Sequence, residues 1–325
     1  MQAAGRRYRI HPSFPLAAAL AGLAACASLP AAVTATDDRD AEAVSLLGER
    51  LYAPPIPPPA RETYEARLAE ARHAYERTPA NADSIIWLGR RTAYLGRYRE
   101  AIAIFSEGIA RHPADARMYR HRGHRHVSVR ELDNAIDDLR RAVALTAGRP
   151  DEIEPDGIPN ALNIPTSTLQ SNIWYHLGLA HYFNGEFDCA LSAYRQAMRV
   201  SGNPDMLVAT SHWLYMTLRR LGRPEEAEAV LAPITRDMPV IENDAYHRLL
   251  LLYKGELPPD SLAPSGTDPL NDASTGYGLG NWHLYNGRSD EAVRVFRRVL
   301  SGGNWPAFGY IAAEAELARI AGPRR

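Results

Sequence analysis

Apolar residues recur every three or four positions from Ile85 to Leu95 and again from Tyr98 to Ala110, with Gly96 between the runs and Pro113 after the second. That spacing lays one apolar stripe on each of two helices about three turns long. Glycine marks the turn between them and proline the stop. A hairpin of two half-covered helices cannot bury its apolar surface alone, so it calls for neighbours of its own kind.

The neighbours are present. From Gly89, a small residue where two helices touch, Ala101 lies 12 positions on, Phe105 16 and Gly108 19. Gly123 is followed at the same offsets by Ala135, Leu139 and Ala142, Gly178 by Ala190, Tyr194 and Ala197, and Gly280 by Ala292, Phe296 and Val299. Gly89 and Gly123 are 34 residues apart. This period, with Leu-Gly followed by Ala and Phe, resembles the tetratricopeptide repeat. The resemblance implies an all-α fold, a right-handed solenoid of stacked helical hairpins. The stretches IIWLGRRTAYLGRYREAI, NIWYHLG, LVATSHWLYMTLRRLG and FGYIAAEAEL also resemble a group of bacterial tetratricopeptide lipoproteins to which no activity attaches.

The repeats divide the chain. A helix over 61–77 reads as the second half of a repeat, serving as an N-terminal cap. Full repeats follow at Ala82–Asp115, Ala116–Arg149, Ser171–Pro204, Val208–Ile241 and Ala273–Pro306, with an irregular fifth begun by 243–254. Residues 308–320 are expected to cap the far end, so the solenoid occupies 61–325. The step from Gly123 to Gly178 is 55 residues, and the excess forms an insert over 150–170, rich in proline and acids. A loop of that length is a lid or a structural flap.

Composition fits a globular array: 46% hydrophobic, 23% charged, mean hydropathy −0.32. A formal net charge of −1 argues against nucleic acid as the principal partner. The N-terminus departs from the repeat. Arg6, Arg7 and Arg9 precede a short apolar run ending Leu23-Ala24-Ala25-Cys26. Residues 1–25 therefore read as a signal peptide, its apolar run Phe14 to Ala25 of 12 residues too short to span a bilayer, and its end resembles a lipobox with Cys26 as the lipidation site. The chain is expected in the bacterial cell envelope as a periplasm-facing lipoprotein, or alternatively as a soluble periplasmic protein. Residues 26–60 read as a proline-rich tether, with a short amphipathic helix over 41–51 and a polyproline stretch that either spaces the array or docks on it. Cys189, the other cysteine, reads as a small buried residue beside Ala190.

Candidate function lies on the first helix of each pair, which the family resemblance places on the concave face. Its inward stripe comprises Arg90, Tyr94, Arg117, Arg120, His124, Asn172, Tyr175, Tyr182, His212, Arg219, Arg220, Tyr246, Tyr253, Lys254, Tyr277, Asn281 and Tyr285. Arginine forks and tyrosine faces suit carboxylates and extended backbone. The same side chains also serve simply to fill the space between helices, and the acidic insert is able to neutralise the arginines within the chain. The stripe favours a non-catalytic scaffold for a protein or extended peptide carrying an acidic or C-terminal carboxylate group. The alternative is an enzyme or glycan binder using Tyr and His groups of the third to sixth repeats. No nucleophile–base pair, phosphate loop, metal-ligand spacing or cofactor motif is evident. His121 and His124 stand three apart among arginines that would repel a metal ion.

Overall fold

The computed structural model describes residues 41–262, 266 and 268–322. The leader, Cys26 and the stretch to residue 40 lie outside the described residues. The described chain is α-helical: α1 Pro58–Arg77, α2 Ala82–Tyr94, α3 Tyr98–Arg111, α4 Ala116–Ser128, α5 Leu132–Thr146, α6 Leu169–Asn184, α7 Phe187–Val200, α8 Pro204–Arg220, α9 Pro224–Val230, α10 Asp244–Tyr253, α11 Pro269–Tyr285, α12 Ser289–Ser301 and α13 Phe308–Ala321. Each helix from α1 to α8 packs on its successor, as does each from α10 to α12, and α8 meets α10 across the short α9, so the hairpins stack in series.

Local chemistry repeats with the hairpins. The first helices α2, α4, α6 and α8 each start behind a side-chain cap: Asn81, Asp115, Thr168 and Asn203. Each cap accepts a backbone N–H that the helix itself leaves unpaired. The turn after the first helix carries positive φ at Gly96, Gly185, Gly222, Gly255 and Gly287. Only the second repeat differs, with Arg130 at φ 66°. Inside a hairpin, the repeating glycine lets the second helix come close. A methyl at Gly89 would sit 2.5 Å from Phe105, one at Gly123 2.9 Å from Leu139, and one at Gly280 2.5 Å from Phe296. The 16-residue offset in the sequence is this contact. In the fourth repeat Tyr215 holds the glycine position, buried, and the partner helix α9 has only seven residues. In the fifth, α10 is followed by a single 3₁₀ turn, Pro259–Leu262.

Three expectations are corrected. Helix α13 is not an outward cap. It lies against α6, α11 and α12, and Tyr310 to Glu316 are all buried. At its start, a methyl on Gly309 would run into the Ala273 carbonyl of α11. A run of small residues with acids inside it is suited to a helix enclosed on most sides, whereas an end cap needs one polar face. Residues 41–51 are not helical either. They form a hairpin of two short strands, β1 Ala43–Val44 and β2 Arg50–Leu51, because Ser45 Oγ accepts from the N–H groups of Leu47 and Glu49 and Gly48 takes positive φ. The segment after it docks, with Pro54 against the Gly96 turn. Cys189 is exposed, since Ala190, its neighbour, takes the inward position on α7.

The two ends of the described chain meet. Leu46 N–H donates to Glu314 of α13 at 2.6 Å, and Trp305 Nε1 donates to the Tyr52 carbonyl at 2.7 Å. Glu316, also buried, pairs with Arg220 of α8 at 2.5 Å and Arg319 at 2.8 Å. Burial alone would raise its pKa, but the two guanidiniums outweigh that and hold it below the usual carboxylate value.

Candidate functional site

The insert crosses the first helices as a strap fastened at both ends, on α2 and just before α10. It leaves α5 and returns to α6 with Glu154 N–H on the Ser167 carbonyl and Leu169 N–H on that of Glu152. At one end Arg90 donates to the Pro155 carbonyl at 2.8 Å and Arg91 to that of Gly157 at 2.6 Å. Gly157 lies so close to the Tyr94 hydroxyl that no side chain fits there. At the other end Asn160 and Thr166 donate to Glu242, before α10, at 2.7 and 2.8 Å.

Beneath the strap is a chamber of about 390 Å³. Its walls come from α2 (Arg90, Tyr94), α4 (Arg120, His124), α6 (Tyr175, His176), α10 (Tyr246), the insert (Glu154, Asp156) and α13 (Phe308). His124 and His176 face one another with ring centroids 4.3 Å apart, and Phe308 lies 5.5 and 5.6 Å from them. Burial, reinforced by nearby arginines, holds His121, His124 and His176 well below the usual histidine pKa, so all three are neutral. Asp156 moves the other way, raised by burial and by Glu242. Arg120, buried, pairs with Glu154 at 2.9 Å.

Profiles described as tetratricopeptide repeat match residues 171–204 and 277–308. The chain carries tetratricopeptide repeats. No curated relative matches the sequence. Among solved structures, it is similar to YrrB, titled a TPR protein with an unusual peptide-binding site (15% identity, 77% of this chain, 96% of that one, TM-score 0.41). It is also similar to MamA (18%, 61% and 94%, 0.41) and to TTC0263 of Thermus thermophilus (17%, 74% and 100%, 0.38). Likeness at that level says nothing about what this tetratricopeptide array binds.

The array sorts the stripe into three groups. Arg90, Tyr94, Arg120, His124, Asn172, Tyr175 and Tyr246 line the chamber. Tyr182, His212, Tyr277, Asn281 and Arg220 belong to the interior. Tyr277 donates to Tyr182 at 2.7 Å, Asn281 donates to the same hydroxyl at 3.2 Å, and Trp213 stacks on Tyr277. Burial raises the Tyr182 phenol to about 12 and lowers His212 to about 3, so neither ionises near neutrality. Arg117, Arg219, Tyr253, Lys254 and Tyr285 sit at edges. Arg117 is matched by Asp83 and Asp115, and Arg219 lies over Tyr285 at 4.2 Å. Lys254 meets Glu256 at 3.0 Å, and Tyr253 stacks on Tyr215.

Sequence reasoning missed His176, Arg125, Phe308 and Glu314. His176 and Arg125 lie one position off the stripe that was traced, and the other two sit on a helix taken for an end cap. A signal existed for Glu314, since an acid inside an alanine-rich helix needs a buried cation, and Arg130 stands where the preceding repeat has Gly96. One further cluster joins His181, Glu186 and Cys189, with ligand atoms within 4.8 Å. His181 bonds Glu186 at 2.5 Å as His126 bonds Glu131 at 2.7 Å in the preceding repeat, where Asn134 replaces the cysteine. The histidine–glutamate pair is thus a fastener of the turn, present with or without the thiol.

Proposed function

We propose that the protein is a non-catalytic binding scaffold of the bacterial cell envelope, held there by lipid on Cys26, which meets a protein partner at the insert and the mouth of the chamber. The repeats support the binding role, because such arrays present extended concave surfaces. The leader sequence supports the address, with soluble periplasmic export as the alternative.

The observation that carries the choice of surface is the display of apolar side chains on the strap. Ile153, Ile158, Leu162 and Ile164 are 67, 50, 62 and 49% exposed, on a segment pinned at both ends. Clustered exposed apolar residues mark contact surfaces. The groove itself has less room than the repeat pattern promises, because α13 occupies part of it. An extended peptide running its whole length is therefore disfavoured, and a loop or chain end fits better. Recognition of an acidic or C-terminal carboxylate group also rests on fewer cations, since Arg117, Arg120 and Arg220 each have a carboxylate of the chain. Among the described residues no helix is long and apolar enough to cross a membrane.

Capture from detergent-solubilised envelope tests the reading. The triple variant I158S/L162S/I164S should keep its helical circular dichroism and lose the partner. Undiminished capture by the folded variant would remove the strap from the interface. Cys26→Ala should move the protein from the membrane fraction to the soluble one.

A further inference from the structure

At the α4 end of the chamber the charges do not balance. A recess of about 100 Å³ lies there, lined by three guanidiniums, Arg90, Arg120 and Arg125, and by one carboxylate, Glu154. Glu154 is used by Arg120. Arg90 donates to a backbone carbonyl and lies over the Trp87 ring at 4.5 Å, but makes no ion pair among the described residues. Arg125 lies over the Tyr98 ring at 5.4 Å, and makes neither a hydrogen bond nor an ion pair among the described residues. A guanidinium carries five N–H donors, and both side chains are only half-buried, so those donors are open to an anion entering from the chamber. A ring face stabilises the charge without accepting those hydrogens in the guanidinium plane. Burial pushes Arg125 down to about 10, which still leaves it charged at neutral pH.

The histidines give the recess a direction. His124 Nδ1 accepts from Arg120 at 3.4 Å, so its proton resides on Nε2, a donor. His176 Nδ1 donates to the Asn172 carbonyl at 2.7 Å, which leaves Nε2 a bare acceptor, buried and without a partner. His176 is 4% exposed and lines the chamber into which the recess opens. Two unmatched cations and a donor therefore converge on one half-open space, with a vacant acceptor buried beside it.

We propose that this recess is the head-group site for a small organic dianion, a dicarboxylate or a phosphate ester. Its negative charges sit between Arg90, Arg120 and Arg125, and a hydroxyl or amine on its body donates to His176 Nε2. Two negative charges equal the surplus of guanidiniums in the recess itself, with Asp156 and Glu242 lining the chamber beyond it, and carboxylate and phosphate both suit the arginine fork. The chamber limits the ligand to a small molecule. Arg90 and Arg120 also grip the strap, so the bound anion fixes the insert from below.

The mature full chain should be titrated with malate, glycerol 3-phosphate and the neutral diamide malamide, by calorimetry and by thermal melting. Saturable binding of malate or glycerol 3-phosphate, absent for malamide, is the expected result, and the tighter of the two names the head group. Arg125→Gln should weaken that binding at least tenfold with unchanged circular dichroism, because Arg125 leaves no carboxylate orphaned when it goes. Where that variant fails to fold, the wild-type titration against malamide decides alone. Failure of both dianions to bind, binding of malamide as tight as theirs, or full affinity in folded Arg125→Gln would overturn the proposal.

Discussion

Arg130 and Glu314, 184 residues apart, are joined by two hydrogen bonds to one carboxylate oxygen, from Nε at 3.0 Å and Nη2 at 2.7 Å. Both side chains are buried, 2 and 1% exposed. The other oxygen of Glu314 accepts Leu46 N–H, and Arg130 also lies over Trp305. A single carboxylate thus ties the turn of the second repeat, the last helix and the N-terminal hairpin together. The arginine holds a left-handed backbone that glycine adopts in the neighbouring repeats. A non-glycine residue there costs of order 1 kcal/mol, and the buried ion pair offsets it.

Glu314→Gln should destabilise the protein by about 3–5 kcal/mol, because it strands a buried cation. Arg130→Gly relieves the backbone but strands the carboxylate. The double variant should be milder than the sum of the two, with a coupling of at least about 2 kcal/mol in urea unfolding. Additive losses would show that the pair does not close the molecule as a unit.

The glycine–aromatic contact inside each hairpin predicts a contrast. At Gly178 a methyl would fall inside the van der Waals surface of Tyr194, which is fully buried. Gly178→Ala should cost about 1–3 kcal/mol, the usual penalty for overpacking. Gly202 has open space around the same methyl and ordinary φ, so Gly202→Ala should change stability by less than about 0.5 kcal/mol. Equal melting temperatures for the two variants would count against close hairpin packing.

Four neutral histidines, three buried and His124 half-buried, make stability depend on pH. His121, His124, His176 and His212 all have folded pKa values below the ordinary 6.5, His212 at about 3, because burial disfavours the charged ring. The unfolded chain binds protons that the folded one refuses, so stability is complete above pH 6.5 and falls as pH drops below it. At pH 5 the loss from His212 is about 2 kcal/mol, and the other three add to it in the same direction. Urea midpoints measured at pH 7.5, 6 and 5 should fall steadily, before the carboxylates begin to protonate. A flat profile over that range would mean that these rings are solvated.

The hairpins were legible because their determinants are local. Gly89 and Phe105, or Gly178 and Tyr194, touch within one repeat, so a fixed spacing betrays the contact. The strap was legible as an interruption of that spacing. The closure was not. Arg130 meets Glu314 across 184 residues and Tyr182 meets Tyr277 across 95, and no periodicity links them. Helix α13 has the composition of a good helix, but nothing local says whether it faces out or folds back. The hairpin at 43–51 was misread because Val44, Leu47 and Leu51 have helical spacing, while the turn at Ser45 and Gly48 decided the outcome.

Gly157 makes the strap separable from the rest of the fold. A methyl there would overlap the Tyr94 hydroxyl, and the nearest relief is to lift the insert, whose side chains at Ile158 and Leu162 already face solvent. Few buried contacts hold that segment, so its local opening should cost much less than global unfolding. Gly157→Ala should therefore speed proteolytic cleavage within 150–166 severalfold, while the urea midpoint of the array moves little. Tyr94→Ala in the same chain removes the overlap and should restore part of the protection, because Arg90 and Arg91 still hold the carbonyls of Pro155 and Gly157. Cleavage unchanged in Gly157→Ala, or a matching fall in global stability, would mean that the strap is built into the core and does not move on its own.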